Sequence, residues 1–310
     1  GSSGGAWAAY PDKPIRLLVP ALAGGAADTL ARMVGKRLNE KLGQPVIVEN
    51  KAGAAAIIGM TEIAKAPHDG YTIGMAFTGG MTINPSLYQS LPYNPLKDFE
   101  PIAMVSVSPL VIAADPKLGV KNLGELLALA KKDPGKLTFA STGTGSTQHL
   151  SMELLKVTTG VDMLHVPYKG SSAAVVDVQS GLVSTISDNA ITLIPFINSG
   201  RLVPIAVETT QRIQALPNVP TVAEQGFPGY QAVGWYGMVA PAGTPKAVIT
   251  LLNESINEIV ADPTFAEWLA QQGMVPQRET PESFRNFIVQ EQQKWADVIK
   301  SANVPKQSVR

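Results

Sequence analysis

Along the first two-thirds of the chain, apolar positions fall into short continuous runs separated by stretches with helical spacing. Ile15-Arg16-Leu17-Leu18-Val19 reads as a strand stopped by Pro20, and Gly24-Gly25 leads into a helix over residues 28–42 with Leu30, Met33, Val34 and Leu38 along one face. Val46-Ile47-Val48 is the next strand, residues 57–66 the next helix, and residues 71–77 a third strand after the Asp69-Gly70 turn. The pattern then restarts. Apolar runs at 102–107 and 110–114 precede a helix at 123–131, a strand at 137–140, a glycine-rich turn and a helix at 148–156. A strand at 164–166 and a helix at 173–179 follow. Strand–helix alternation of this kind builds parallel sheets covered by helices, so the fold class is α/β with two similar units.

The last part of the chain differs. After an apolar run at 233–239 it reads as helices only, at 247–260, 263–271 and 281–299. Helices without strands cannot build a sheet of their own, so they are expected to pack back on the first unit. That predicts a discontinuous lobe one (residues 10–115 plus 236–310) and a lobe two (residues 116–235), with two hinge crossings near 115 and 235. A cleft between two such lobes is the expected ligand site.

Composition narrows the function. A length of 310 residues favours two domains. The 25 basic and 25 acidic residues cancel and no basic stretch stands out, which argues against nucleic acid as a partner. Cysteine is absent, so thiolate metal sites, thiol nucleophiles and disulfides are excluded together. No apolar run approaches the roughly 20 residues of a membrane span, and a soluble chain is expected. Gly1-Ser2-Ser3-Gly4-Gly5 reads as an expression-vector remnant, and Ala6-Trp7-Ala8 has the small-x-small form of a signal-peptidase site.

Four turns follow strands and carry the candidate chemistry. Pro20-Ala21-Leu22-Ala23-Gly24-Gly25-Ala26-Ala27-Asp28 offers free backbone N–H groups at a helix start, suited to an anion. Asp28 could instead cap those donors itself. Ser141-Thr142-Gly143-Thr144-Gly145-Ser146-Thr147-Gln148-His149 is dense in hydroxyls that hold a carboxylate without a charged partner; Ser146 or Thr147 could also serve as a helix cap. Thr78-Gly79-Gly80-Met81 and Tyr168-Lys169-Gly170-Ser171 complete the set, and Asp188-Asn189, after a strand at 184–187, either reaches the cleft or caps a helix. Ligands of open α/β sheets bind beyond the carboxyl ends of strands, where all these turns lie. None carries an arginine.

Several chemistries are excluded. The hydroxyl-rich turn has Gln148 where a dinucleotide fingerprint needs its third glycine, and it lacks the Gly-Lys-Ser/Thr of a phosphate loop. Ser146 is not in a Gly-x-Ser-x-Gly setting, so an enzyme using Ser146 with His149 is the weaker rival. His68, His149 and His165 show no metal-ligand spacing, and neither a metal nor a cofactor is expected. His68 reads as an exposed turn residue and His165 as structural.

These segments resemble the Bug family, the substrate-binding proteins of tripartite tricarboxylate transporters. The resemblance runs from Tyr10-Pro11-Asp12-Lys13-Pro14-Ile15 to the C-terminal helices. Its most specific pieces are the turn at 141–149, His165-Val166-Pro167-Tyr168-Lys169-Gly170, and Ala215-Leu216-Pro217-Asn218-Val219-Pro220-Thr221-Val222-Ala223-Glu224-Gln225-Gly226. It implies a periplasmic, two-lobed type II binding-protein fold that closes like a flytrap. It also implies a leader peptide removed on export and a function in solute capture, not catalysis. The carried-over ligand contacts are Ala23, Gly24, Gly25 and Asp28 with Thr142, Gly143, Ser146, Thr147 and His149, and Asp188 reads the ligand's distal end. The turn positions add Thr78, Gly79 and Tyr168.

The expected ligand is a small dicarboxylate, aliphatic or aromatic; the expected partners are the membrane components of the transporter, and the chain is expected to be a monomer. A receptor that presents its ligand to a sensor kinase is the alternative. Two departures stand out: Ala23 replaces a family proline before Gly-Gly, and the family's Asn-Arg-Pro-Gly-Ala-Gly-Gly appears as Asn50-Lys51-Ala52-Gly53-Ala54-Ala55-Ala56.

Overall fold

A computed structural model describes residues 9–309. The vector remnant and the Ala6-Trp7-Ala8 motif lie outside the described residues. The chain begins β1 (Ile15–Val19), α1 (Ala26–Leu42), β2 (Val46–Asn50), α2 (Ile57–Lys65) and β3 (Thr72–Phe77). A π-helical turn at Gly79–Ile83 runs into the short α3 (Asn84–Leu87) and then β4 (Phe99–Ala114). The second unit comprises α4 (Leu123–Lys132), β5 (Thr138–Ser141), α5 (Thr147–Thr159), β6 (Leu164–Pro167), α6 (Ser171–Gln179), β7 (Thr185–Asn189), α7 (Ala190–Asn198) and β8 (Val203–Val207). The chain ends with β9 (Val233–Pro241), α8 (Lys246–Ala261), α9 (Pro263–Gln271), β10 (Val275–Pro276) and α10 (Pro281–Ser301).

Two parallel runs, β2-β1-β3 and β7-β5-β6, are joined through β9 and β4, which pair antiparallel to their neighbours. β4 belongs to both halves. Its stretch from Phe99 to Pro109 pairs with β9, and Leu110 to Ala114 pair with β7 and β8. The two apolar runs on either side of Pro109 are therefore one strand. Proline supplies no N–H to a ladder, and it stands where β4 exchanges one partner for the next. Nearly every β4 residue is buried, as expected of a strand covered on both faces. The C-terminal part is not purely helical: Val275 and Pro276 pair with Val107 and Ser106. A two-residue strand is too short to leave a periodic signal.

Helices cover both faces of each half. Leu30, Val34 and Leu38 of α1 pack with Leu252 and Ile256 of α8 and Phe265 of α9 on one face of the first sheet. Met60 and Ile63 of α2 pack with Trp235, Phe284 and Ile288 on the other. In the second half, Leu123, Phe139, Leu150 and Leu155 form one core, and Val175, Val178, Ile186 and Leu193 form the opposite one. The C-terminal end of α10 joins the first of these through Trp295, Val298 and Ile299, so this helix lies across both halves. Among the described residues no helix is long and apolar enough to cross a membrane.

The turn before α2 carries backbone strain. Ala54, Ala55 and Ala56 have φ of 50°, 54° and 73°. Each left-handed alanine costs about 1–2 kcal/mol because Cβ crowds the following carbonyl. At Ala55 and Ala56 the resembling segment carries glycine. Ala56→Gly is expected to raise stability by about 1 kcal/mol, since glycine enters this conformation without that clash. Urea unfolding of the variant beside the parent measures it.

Candidate ligand-binding site

The β1–α1 loop is held open by a buried carboxylate. Asp28, 3% exposed, accepts hydrogen bonds from Gly24 N (2.9 Å), Asn50 Nδ2 (2.9 Å) and Arg32 Nε (3.0 Å). Asn50 Nδ2 also donates to the Ala21 carbonyl at 3.1 Å, and Arg32 reaches Asn50 Oδ1 at 3.1 Å. Burial alone would raise the Asp28 pKa. The Gly24 N–H, Asn50 and Arg32 outweigh it and hold the carboxyl below its ordinary value. Both Asp28 oxygens are thus committed to the chain, and the residue shapes the loop. Gly24 lies at φ +89°, a conformation glycine adopts without penalty, and no atom stands within 4 Å of where its Cβ would be. Gly25 is the N-cap of α1 and provides no side-chain cap, so the opening N–H groups of the helix have no side-chain acceptor. Ala23, Gly24 and Gly25 are exposed.

The β5–α5 loop is tied down by its own hydroxyls. Ser146 is the N-cap of α5: its Oγ accepts from His149 N at 3.1 Å and donates to the Gly143 carbonyl at 2.7 Å. The capping alternative therefore holds for Ser146, and this ties its hydroxyl to the loop. Thr142 Oγ1 donates to Gln148 Oε1 at 3.1 Å, and Gln148 Nε2 donates to Asp188 Oδ1 at 3.0 Å. Gly143 and Gly145 sit at φ +138° and +86°, so this loop needs glycine at both. Among the described residues, the Thr147 hydroxyl has no hydrogen-bond partner in the chain. The Ser146–His149 dyad that a hydrolase would need does not form. His149 Nδ1 accepts from Gly145 N at 3.0 Å and its Nε2 faces Glu153 Oε1 at 3.5 Å.

The remaining candidates lie at the ends of β3, β6 and β7. Thr78 Oγ1 accepts from Trp235 N at 2.9 Å, which fixes the end of β3 to β9 beside Ser108 and Gly234. No atom stands within 4 Å of a Cβ built on Gly79. The Tyr168 hydroxyl is committed to Asp177 Oδ2 at 2.5 Å; burial and that carboxylate push the phenol up to about 12. Its backbone N donates to the Ser141 carbonyl at 3.0 Å. Asp188 is fully buried. Its Oδ1 accepts from Asn189 N (2.7 Å) and Gln148, whereas Oδ2 has no partner. Asn189 makes no side-chain cap on α7, so the capping alternative fails for this pair. Gln148 was not among the expected contacts, although it links Thr142 to Asp188.

A buried network sits where the halves meet. Ser187 Oγ donates to Glu208 Oε2 at 2.6 Å, Tyr230 OH to Glu208 Oε1 at 3.0 Å, and Ser151 Oγ to Ser187 at 2.8 Å. The Glu208 backbone joins both crossing segments: its N donates to Leu110 O and its carbonyl accepts from Ala232 N, each at 2.9 Å. Burial pushes the Glu208 carboxyl up to about 7 against the hydrogen bonds of Ser187 and Tyr230 and the charge of Lys294.

Cavities of about 580 and 590 Å³ lie elsewhere, one between α5 and α10 beside Tyr230, the other an apolar crevice between α7 and α9 beside Pro109. The expected loops line neither. Cavity size would favour those places, but the loops lie at strand ends and offer the uncapped start of α1, with the unpartnered Asp188 Oδ2 near the end of β7. We place the site at the loops for that reason. Among the described residues no group of three His, Asp or Glu side chains could hold a metal ion.

The fold and these loops define a two-lobed α/β solute-binding receptor. Residues 30–304 match the model of the TctC family, described as tripartite tricarboxylate transporter family receptor. BugT of Bordetella pertussis is 40% identical over 292 residues, which cover 94% of this chain and 90% of that protein. Rpa4515 of Rhodopseudomonas palustris, solved with adipate, is 32% identical with a TM-score of 0.77, covering 96% of this chain and 100% of that one. MatC of the same organism, solved with malate, is 29% identical with a TM-score of 0.72 and coverage of 94% and 100%. The chain belongs to the TctC family of periplasmic solute-binding receptors, and it is not an enzyme.

Proposed function

We propose that this protein captures a small dicarboxylate between its two lobes, residues 10–115 with 236–310 and residues 116–235, and delivers it to the membrane components of a tripartite tricarboxylate transporter. The observation that carries this reading is the pair of loops at 23–25 and 142–147, which carry no charged side chain and of which the first leads into a helix start without a side-chain cap. One ligand carboxylate lies against Ala23, Gly24 and Gly25 and takes the uncapped N–H groups at the start of α1, with the Thr142–Gly143 segment and the Thr147 hydroxyl on its other side. Thr78 and Gly79 form the floor. Tyr168, Ser146 and His149 support the second loop.

The far end approaches Asp188 Oδ2, a buried acceptor that needs a donor. A second carboxylate cannot meet it directly, so a ligand hydroxyl or a bridging water stands between them. The adipate and malate held by the two relatives are consistent with a dicarboxylate. Ligand contacts to both lobes favour the closed state, which is the state the transporter reads.

A thermal-shift screen of mono-, di- and tricarboxylates tests this. At a concentration about 100 times the dissociation constant, a dicarboxylate is expected to add about 2.7 kcal/mol and raise the midpoint by several degrees. Stabilisation by monocarboxylates or amides alone would overturn the substrate class.

A further inference from the structure

The second loop rests on two histidines. The His149 and His165 rings stack with centroids 3.7 Å apart and planes 5° from parallel, and Phe139 extends the stack 5.0 Å beyond His165. Each ring holds the loop by one nitrogen. Gly145 N donates to His149 Nδ1 at 3.0 Å, so the His149 proton sits on Nε2, toward Glu153. His165 Nε2 lies 2.6 Å from Ser141 Oγ, which itself accepts from Gly143 N at 3.1 Å. The Ser141 hydroxyl proton has two possible acceptors, His165 at 2.6 Å and the Gly143 carbonyl at 3.3 Å. The Gly143 carbonyl already receives Ser146 Oγ–H at 2.7 Å. The shorter, unshared contact takes the proton, so His165 Nε2 is an acceptor as well.

The charged groups around the pair are few. From α5 they are Glu153 and Lys156, which pair with one another at 3.2 Å; Asp162, before β6, reaches Lys156 at 3.8 Å. β5 contributes Phe139 and Ser141 and no charge. Burial, followed by the neighbouring His149, pushes His165 down to about 4, with Lys156 acting in the same direction and Glu153 against it.

We propose that His149 and His165 are positioning residues, a stacked pair that shapes the Ser141–Ser146 loop for its ligand and loosens it when His165 takes up a proton. This rests on the reading that the loop grips the ligand. A proton on His165 enters at Nε2 and turns away the Ser141 hydroxyl, which also positions Gly143. The backbone segment that faces the ligand then loses its support.

Two measurements test the proposal. The first is malate and adipate affinity at neutral pH for His149→Phe and His165→Phe, which keep a stacking ring without the acceptor, and for His149→Asn and His165→Gln, which restore an acceptor near Nδ1 and Nε2. Loss of one such hydrogen bond is expected to weaken binding about tenfold in the Phe variants, with most of it recovered in the Asn and Gln variants. The second is the amide-exchange protection factor of Gly143, whose N–H donates to Ser141 Oγ, in the parent without ligand. It is expected to hold near pH 7 and to fall as pH drops toward about 4.

Full affinity in the Phe variants, or equal losses in all four, would overturn the positioning role. Unchanged Gly143 protection down to about pH 4 would overturn the proton release. If the parent binds no carboxylate at all, it is the ligand reading that fails, and the exchange measurement still decides the pair.

Discussion

Asp28→Ala is expected to lower stability by about 2–3 kcal/mol and dicarboxylate affinity by at least about tenfold. Removing one member of a buried pair costs about 3–5 kcal/mol when the partner charge stays buried. Arg32 is 54% exposed at its side chain and regains water, which brings the figure down. The larger functional loss follows from the loop: Gly24 N, held at φ +89°, loses its acceptor, and Asn50 Nδ2 keeps only the Ala21 carbonyl. Because the folded-state pKa of Asp28 is depressed, its contribution is present above the ordinary carboxyl value and is lost as pH falls through the folded one. The stability difference between parent and variant should therefore shrink in acid. Urea midpoints across the acid range measure this, and a difference that persists there would count against it.

Trp235→Ala is expected to cost about 4 kcal/mol, within the range for emptying an aromatic core position. The ring is fully buried and meets Phe284 and Phe287 edge-on at 5.5 and 5.7 Å. Its indole Nε1 donates to Thr82 Oγ1 at 3.4 Å, and its backbone N donates to Thr78 Oγ1. The cavity would open directly beneath the Thr78–Gly79 floor, so weaker ligand binding should accompany the lost stability. A variant that unfolds at the parent's urea concentration would contradict the assigned packing.

Much of the architecture was legible because each unit obeys local rules. α9 spans the expected residues 263–271, with Asp262 capping its start and proline at its first position. α1 and α5 begin within two residues of expectation and end at left-handed glycines, Gly43 and Gly160. The expected turns do all fall at strand ends. What stayed hidden was set by partners distant in sequence. The exchange of β4 from β9 to β7 and β8 has no periodic signature, and the reach of α10 across both halves depends on where Trp295 lands.

Within the site, side-chain identity was readable but commitment was not. Ser146, Asp28 and Tyr168 were expected to meet the ligand, yet their polar atoms bind the chain itself. Gln148 was read only as an absent glycine, although it bridges Thr142 and Asp188. His165 was read as structural. The parallel register that sets it beside Phe139, within reach of Ser141, joins residues about two dozen apart, which no local pattern reveals. Ala55 and Ala56 were visible as departures from glycine, but the left-handed backbone at 54–56 was not.

The central claim is that one carboxylate is gripped by both loops at once. Amide chemical-shift mapping during a malate or adipate titration of the ¹⁵N-labelled protein tests it directly. The account predicts saturating shifts, with one common dissociation constant, at Gly24, Gly25 and Ala26 and at Gly143, Gly145 and Thr147. It also predicts little change in that constant between about 0.05 and about 0.5 M salt, because neutral donors make the grip. Saturation at one loop with the other silent, or shifts confined to the crevice beside Pro109, would contradict it.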